Sequence, residues 1–145
     1  MAGNLLDLAE RLEKKKAAIE TAASDAAVFV AVTIVADLAY KTPVDTSQAL
    51  SSWIVTLDDP ASIVGKAHYP GEKGSTQKAS AAETIAAAQA ALKNKKPGQH
   101  IFITNNQPYI KRLNDGYSKQ QAAGFVERAA LIGRKAIQRY KLKLK

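Results

Sequence analysis

The feature that most constrains the fold of this chain is a stretch of 38 residues, Asn4–Lys41, that contains neither glycine nor proline. Apolar side chains recur at helical spacing in its first part, with charged residues on the other side. Residues 26–36 are apolar almost all round, which is typical of a buried helix; their β-branched content would also suit a buried strand. Because no turn signal comes before Thr42-Pro43, we predict one long helix, with Asn4 as its cap. Its first half should be exposed and its second half buried.

Composition limits the chemistry that the chain can perform. The 145 residues include no cysteine, which excludes a disulfide framework, a thiolate zinc site and a cysteine nucleophile. The two histidines, His68 and His100, leave little material for an imidazole metal site or a Ser-His-Asp triad. No histidine follows Ser118, whose surroundings also lack the second glycine of a nucleophile turn. We therefore predict that the protein is not an enzyme and uses no cofactor or metal.

Positive charge is concentrated in two parts of the sequence. The formal net charge is +8, and no acidic residue lies between Glu83 and Asp115 or after Glu127. The last twelve residues contain six cations: Arg134, Lys135, Arg139, Lys141, Lys143 and Lys145. This exceeds what the C-terminus of a helix needs for its dipole, and it indicates a tail that contacts either an acidic protein or DNA phosphates. The alternation of leucine and lysine over 141–145 would also allow this tail to add an edge strand to a neighbour.

No segment of the sequence is typical of export or membrane insertion. Asp7 lies where a signal peptide would have its apolar core, and the longest apolar run, 26–32, is far shorter than the ~20 residues that span a bilayer. We expect a protein that works where it is made and contacts no membrane.

The rest of the sequence predicts short strands and further helices. Alternation at Trp53–Leu57 predicts a strand, and residues 62–67 are the expected return strand of a hairpin. Residues 68–78 are polar and contain glycine, so they are expected to form an exposed loop. A capping box at Ser80 to Glu83 should open an Ala-rich helix over 81–92. A strand over 100–105, a turn or short helix over 108–116 and a last helix over 122–139 complete the prediction.

Two blocks of this sequence form a recognisable pair. The first, after the long helix, consists of Thr42-Pro43-Val44-Asp45-Thr46, Leu50 and Ser52-Trp53. The second consists of Ile101-Phe102-Ile103-Thr104-Asn105-Asn106, Pro108-Tyr109, Leu113, Gly116-Tyr117-Ser118-Lys119-Gln120 and Gly124-Phe125-Val126. In this order, with an Ala-rich helix between them, the blocks resemble the tail-completion proteins of tailed bacteriophages, also called neck or head–tail joining proteins. With the surrounding helices, the resemblance covers residues 26–140.

This resemblance implies an α+β structural protein of the virion, made in the cytoplasm of the bacterial host. Such proteins form a ring, usually a hexamer, at the top of the tail or at its junction with the head. The implied partners are further copies of the chain and the neighbouring neck and tail-tube proteins. DNA would pass through the channel of the ring without specific recognition.

The chain departs from the family pattern at two places. Similar proteins commonly have glycine where this chain has Ser47, which points to a positive φ at that position. They often have Ala-Pro after the glutamine, where this chain has Gln121-Ala122-Ala123. Without that proline, the last helix is expected to start a turn earlier, at Ala122.

Taken together, the sequence predicts a single α+β domain over residues 1–145. Residues 1–24 are expected to be an amphipathic helical extension, and residues 140–145 a basic tail. The predicted architecture is a long N-terminal helix, a small antiparallel sheet, an Ala-rich middle helix and a C-terminal helix. The candidate subunit or partner contacts are Leu8, Leu12, Asn105, Tyr109, Tyr117, Arg139, Lys141, Lys143 and Lys145. The alternative function is a small basic nucleic-acid-binding module, which the net charge favours, although no helix-turn-helix, zinc-finger or RNP motif occurs.

Overall fold

The computed structural model describes residues 3–140, in which five helices and two strands form an α+β fold. In chain order the elements are α1 (Asn4–Lys41), α2 (Gln48–Ser51), β1 (Trp53–Leu57), α3 (Gln77–Leu92), β2 (Ile101–Asn105), α4 (Ile110–Asn114) and α5 (Phe125–Arg139). The predicted fold class is confirmed, including the long N-terminal helix, the small antiparallel sheet and the middle and C-terminal helices.

Helix α1 is uninterrupted, as the absence of glycine and proline predicts. It ends at Thr42, whose ψ of 124° lies outside the helical region because Pro43 follows. The prediction that Asn4 caps the helix is wrong, since Gly3 is the N-cap and no side chain caps this end. Asp7 lies in the first turn, where the helix dipole favours a carboxylate.

Only the second half of α1 enters the core. Within residues 3–21 every residue except the half-buried Ala18 is exposed, and the first buried residue is Ala22. We call residues 4–21 the arm. Among the described residues, α1 is the one helix long and apolar enough to cross a membrane by length and composition. In this fold its apolar second half packs against α3 on one side and α5 on the other.

The sheet consists of β1 and β2, paired antiparallel with Val55 opposite Ile103 and Leu57 opposite Ile101. The predicted return strand at 62–67 is wrong, because that segment has no regular structure. Its apolar residues, Ile63 and Val64, are exposed. The isoleucines of β2 instead pack against the helices, so pairing with β2 covers more apolar surface than a local hairpin would.

Two helices begin at positions other than those predicted. α3 begins at Gln77, so Ser80 is an interior residue and not a cap. Its buried hydroxyl accepts a hydrogen bond from the Tyr69 N–H and donates one to the Tyr69 carbonyl, both at 3.3 Å. α5 begins at Phe125 and not at Ala122, because Gly124 takes a φ of 83° in the left-handed region immediately before it.

Three apolar clusters make up the core, and α1 contributes to all of them. The first contains Val35, Val55 and Leu92, and the second contains Leu38, Trp53, Phe125 and Ala129. The third lies under the segment that leaves α1 and contains Ala39, Val44, Leu50 and Ala81. This last cluster fixes the start of the first sequence block against the body of the domain.

Candidate functional site

The two sequence blocks, far apart in the chain, meet at one groove of about 460 Å³. Its first wall is formed by residues 43–49, between α1 and α2, and its second by residues between Tyr109 and Gln120. We call this groove the elbow. It lies where the chain turns from α1 toward the sheet, and its walls are the segments that carry the resemblance.

Gln120 joins the two walls of the elbow. Its side-chain oxygen accepts a hydrogen bond of 2.8 Å from the Val44 N–H, and its side-chain nitrogen donates one of 2.9 Å to the Val44 carbonyl. The amide thus satisfies both backbone groups of a residue that is only 3% exposed and lies outside any helix or strand. Sequence reasoning placed Gln120 in the second block but did not identify this partner, because nothing local connects positions that are 76 residues apart.

A hydrogen bond from Trp53 holds Thr42, the residue that precedes the first wall. The Trp53 indole Nε1–H donates to Thr42 Oγ1 at 2.8 Å, and that hydroxyl donates to the Leu38 carbonyl at 2.6 Å. Trp53 is 8% exposed and belongs to the second core cluster. Its interpretation as a core aromatic residue is therefore confirmed, and its N–H has the partner that a buried indole requires.

Ser47, at a position where the resemblance implies glycine, has a φ of 68°. The positive φ inferred from the family pattern is therefore present, although the side chain is not glycine. The Ser47 hydroxyl is buried and lies 2.8 Å from Thr76 Oγ1. A hydrogen bond to the residue that caps α3 thus accompanies the strained backbone of Ser47.

Asp45 anchors the polar segment that precedes α3. Its Oδ1 accepts a hydrogen bond of 2.7 Å from the Lys73 N–H, and its carbonyl accepts one of 2.9 Å from the Gly74 N–H. Gly74 has a φ of 75°, which a glycine adopts without strain. The loop predicted over 68–78 therefore has a polar anchor, and its last two residues belong to α3.

The amides of the second block are engaged within the subunit. The Asn105 Nδ2 donates to the Ala49 carbonyl at 2.8 Å, and its Oδ1 accepts from the Gln107 N–H at 3.1 Å. The Asn106 Nδ2 donates to the carbonyls of Ala61 and Ile63 at 2.7 and 3.0 Å. The interpretation of Asn105 as a turn former is confirmed by its bond to the Gln107 N–H, whereas Asn106 bonds the distant 61–63 segment. Asn105, also predicted as a contact residue, holds β2 to α2.

Asn114 attaches the end of the second block to α5. Its Oδ1 accepts from the Val126 N–H at 2.9 Å, and its Nδ2 donates to both carboxylate oxygens of Glu127 at 3.0 Å. The Asn114 oxygen therefore accepts from one of the free N–H groups at the start of α5, where Gly124 offers no side chain. This hydrogen bond from Asn114 is the main reason that the pKa of Glu127 lies below its ordinary value.

Two tyrosines on the second wall are accessible to a partner. Tyr109 is 38% exposed, and partial burial raises the pKa of its phenol above the ordinary value of 10.0. Tyr117 is 75% exposed, and the Arg112 guanidinium carbon lies 5.3 Å from its ring centre. The structure thus brings Tyr109 and Tyr117 to the elbow with exposed aromatic surface. Asn105, the third contact residue predicted in the second block, does not line the elbow and is bonded to the Ala49 carbonyl.

The other predicted contact residues lie elsewhere. Leu8 and Leu12 are exposed on the arm, outside the core. Arg139 lies at the end of α5, beside a groove where the rings of Phe29 and Tyr140 are 5.0 Å apart. The three terminal lysines, Lys141, Lys143 and Lys145, lie outside the described residues. The predicted contact set is therefore distributed over three surfaces of the domain.

The elbow offers aromatic and hydrogen-bonding surface, and most of its polar groups hold the backbone. Over residues 3–140, no three His, Cys, Asp or Glu side chains are grouped as metal ligands would be. No family model, curated protein or solved structure matches the chain.

Proposed function

We propose that the protein is a structural component of a tailed bacteriophage virion that assembles into a ring at the head–tail junction. In this role it would complete or cap the tail, join it to the capsid and leave a channel for DNA. The observation that carries the proposal is the pairing of Gln120 with Val44, which unites the two blocks of the resemblance in one groove. If each block resembled the family only by chance, there would be no reason for the two blocks to lie in contact in the fold.

The exposed apolar surface supports self-assembly. Leu5, Leu12 and Ile19 on the arm are 82%, 57% and 52% exposed, and Leu6 and Leu8 lie among them. Leu5, Leu8 and Leu12 share one face of the helix, and an exposed apolar stripe on a small protein supports a contact with another protein. The opposite side of the arm carries the charged residues Asp7, Glu10 and Lys14, as expected of a helix that is covered on one side only.

The distribution of charge supports docking to acidic neighbouring rings. The exposed cations of α5, Arg134, Lys135 and Arg139, lead directly into the basic tail. A ring that lines a DNA channel must let the duplex slide, so tight binding of phosphates would oppose its function. We therefore assign these cations to an acidic protein surface, where complementary charge accelerates association.

The same cations support the second candidate, a basic nucleic-acid-binding module. Salt separates the two functions, because neutralising phosphates releases counterions and makes duplex affinity fall steeply with salt concentration. A docking protein would bind naked duplex weakly at physiological salt, whereas a nucleic-acid-binding module would bind it tightly without forming a closed assembly.

Sedimentation velocity and electron microscopy of the purified protein, alone and mixed with the tail-tube protein of the same phage, test the proposal. We expect closed rings with an axial opening wide enough for duplex DNA. Monomers or dimers that bind duplex in a strongly salt-dependent manner would refute the ring and favour the second candidate. Flanking genes for capsid, tail-terminator and tail-tube proteins would give independent support.

A further inference from the structure

A second groove, of about 530 Å³, lies between α1, α5 and β2. We call it the α1–α5 groove. Small residues of the two helices form much of its surface: Ala27, Ala31, Ala130 and Gly133. On the third side it is lined by Ile101 and Ile103, two alternate residues of β2. An apolar cavity thus lies directly beside this strand.

The backbone of β2 is paired along one edge. In the described part of the chain the sheet has two strands, and β1 lies on one side of β2. The Asp58 N–H donates a hydrogen bond of 2.8 Å to the His100 carbonyl, one residue beyond the pair formed by Leu57 and Ile101. Because bonded and non-bonded pairs alternate in an antiparallel sheet, Ile101 and Ile103 point their N–H and carbonyl groups away from β1. Within residues 3–140, no other backbone segment bonds to these groups.

The open edge of β2 and the α1–α5 groove together form the place of a third strand. A strand added at the usual spacing of about 4.8 Å would bond Ile101 and Ile103 and direct every second side chain toward α1 and α5. The small residues Ala27 and Ala130 leave room there for those side chains. β2 itself, Ile-Phe-Ile-Thr-Asn, carries none of the charges or prolines that protect exposed strand edges from other chains. This edge is therefore open to a strand from another chain.

The ionisable side chains that line the groove are all basic, namely Lys95, His100 and Arg134. The Lys95 ammonium donates a hydrogen bond of 2.7 Å to Ser24 Oγ on α1, which holds the cation beside the groove. The Asp58 carboxylate is not among the lining groups, although it accepts a hydrogen bond of 2.9 Å from the lining residue Gln99. An acidic segment would therefore be attracted to this edge of the sheet, and a basic segment would be repelled.

Two segments of the chain itself lack the charge that the groove attracts. The last five residues, Lys-Leu-Lys-Leu-Lys, alternate as a strand would, but their three lysines would add positive charge beside Lys95 and Arg134. The arm is helical, and the four acids and four bases of residues 4–21 cancel. The basic groove thus favours neither segment and instead favours an acidic strand of another protein.

We propose that an extended, acidic segment of a neighbouring protein adds to β2 as a third strand. Its alternate apolar side chains would lie in the α1–α5 groove, and its carboxylates would lie near Lys95 and Arg134. Backbone hydrogen bonds to Ile101 and Ile103 supply affinity, and the groove selects the side chains. The inference rests on the docking to acidic neighbours in the proposed function, and it specifies where and in what conformation such a neighbour is held.

The probe for this site is a synthetic peptide of alternating leucine and glutamate, and its control is the same peptide with lysine in place of glutamate. Each is titrated into the full-length protein at physiological salt while NMR follows amide hydrogen exchange. We expect the acidic peptide to slow exchange of the Ile101 and Ile103 amides about tenfold or more, because these N–H groups become bonded. The lysine peptide should leave both rates unchanged. Failure of the acidic peptide to bind, binding without this protection, or equal protection by both peptides would overturn the proposal.

Two pairs of variants locate the binding on the molecule. Arg134→Glu and Lys135→Glu both replace an exposed cation of α5 with an acid, but Arg134 lines this groove and Lys135 does not. Arg134→Glu should weaken binding of the acidic peptide several-fold more than Lys135→Glu. Ala130→Tyr, which fills the groove, should abolish the protection, whereas Leu131→Tyr, at an exposed position outside the groove, should preserve it. Equal effects within either pair would place the peptide elsewhere and overturn the proposal.

The strand site and the proposed function fail in different ways. Rings that assemble from a chain that does not bind the acidic peptide would refute the strand site and leave the proposed function standing. A chain that forms no ring but protects Ile101 and Ile103 with the acidic peptide would refute the proposed function and leave the strand site standing.

Discussion

Gly133 of α5 lies so close to Ile34 of α1 that a methyl group added at Gly133 would come within 2.5 Å of the Ile34 Cδ1 atom and 2.6 Å of its Cγ1. The same methyl group would lie 3.3 Å from a Val30 methyl carbon. Gly133 is buried, and its missing side chain sets the distance between the two helices that form the α1–α5 groove.

We expect Gly133→Ala to lower the free energy of unfolding by up to about 2 kcal/mol, because overpacking costs about 1–3 kcal/mol and helix propensity offsets about 1. Urea unfolding measures the effect. Ile34→Val removes the nearest atom, so its cost should be smaller in the Gly133→Ala background than in the natural chain. Additive costs would show that the two residues do not interact.

The two hydrogen bonds between Gln120 and Val44 predict that the stability of a Gln120→Glu variant depends on pH. In Gln120→Glu at neutral pH the carboxylate still accepts from the Val44 N–H but cannot donate to its carbonyl. We expect a loss of about 1–3 kcal/mol in the free energy of unfolding, the cost of an unsatisfied buried polar group.

Protonation of the introduced carboxyl restores a donor, so folding favours the protonated form and raises its pKa. The variant should therefore approach the stability of the natural chain below its unfolded pKa and lose it as pH rises through the folded pKa. Urea unfolding between pH 3 and pH 7 tests this. Lys119→Ala, on the exposed neighbour, is the control and should show no such recovery.

The stability that Glu127 contributes should be lost at low pH. This is the opposite of the Gln120→Glu variant, which should gain stability at low pH. The hydrogen bond from Asn114 lowers the pKa of Glu127 below its ordinary 4.5, so folding favours the ionised carboxylate. Its contribution is complete above the unfolded pKa and is lost as pH falls through the lower folded pKa. Glu127→Gln should thus be less stable than the natural chain at pH 7 and nearly equal to it at pH 3, as measured by thermal unfolding. A Glu83→Gln control, exposed on α3, should show no comparable convergence.

The arm should matter for assembly and not for folding. Because Leu8 and Leu12 are exposed and outside the core clusters, replacing both with serine should leave the unfolding midpoint of the subunit unchanged. The mass of the assembled species in sedimentation should fall, since the buried apolar area of the contact is lost. Lys14→Ser with Lys15→Ser is the matched control on the same helix. If the Leu8→Ser, Leu12→Ser variant unfolds as a monomer, the stripe belongs to the core and the prediction is wrong.

The basic tail should matter for docking and not for folding. Deleting residues 141–145 should leave folding intact, because the last fully buried side chain of α5 is Ala129 and the buried Gly133 follows it. If the tail binds an acidic surface, its deletion should lower the yield of joined particles, and added salt should have the same effect on the natural chain. Screening lengths are ~8 Å at physiological ionic strength and shorter above it. An unchanged number of infectious particles would show that the tail has no docking role.

Local patterns predicted most elements but not which strands pair. The end of α1 at Thr42-Pro43, strand β1 and strand β2 follow from periodicity and from proline, which act over a few residues. The partner of β1 could not be predicted in this way, because a hairpin with residues 62–67 is locally reasonable. The outcome depends on the apolar surface that Ile101 and Ile103 cover against α1, which is a property of the tertiary fold.

The contacts within the elbow likewise could not be predicted from local sequence patterns. Its two walls follow from the residues that carry the resemblance, and the positive φ of Ser47 agrees with the glycine of similar proteins. The roles of Gln120 and Asp45 depend on backbone groups that are distant in sequence, so no local spacing indicates them. The start of α3 was misplaced because Ser80 fits a capping pattern, whereas its hydroxyl in the fold bonds the Tyr69 backbone.

The packing of α1 on α5 also determines when this protein can fold during synthesis. Ile34 and Gly133 are 99 residues apart, and at about 5–20 residues per second the ribosome adds those residues in roughly 5–20 s. During that interval residues 26–36 are without α5, although α3 and the sheet can already pack on their other side. A nascent chain therefore leaves the α5-facing side of its most apolar segment uncovered until translation is nearly complete. Fragments released before α5 is made keep that surface exposed, which favours their capture by chaperones and proteases, so that only full-length chains supply folded subunits.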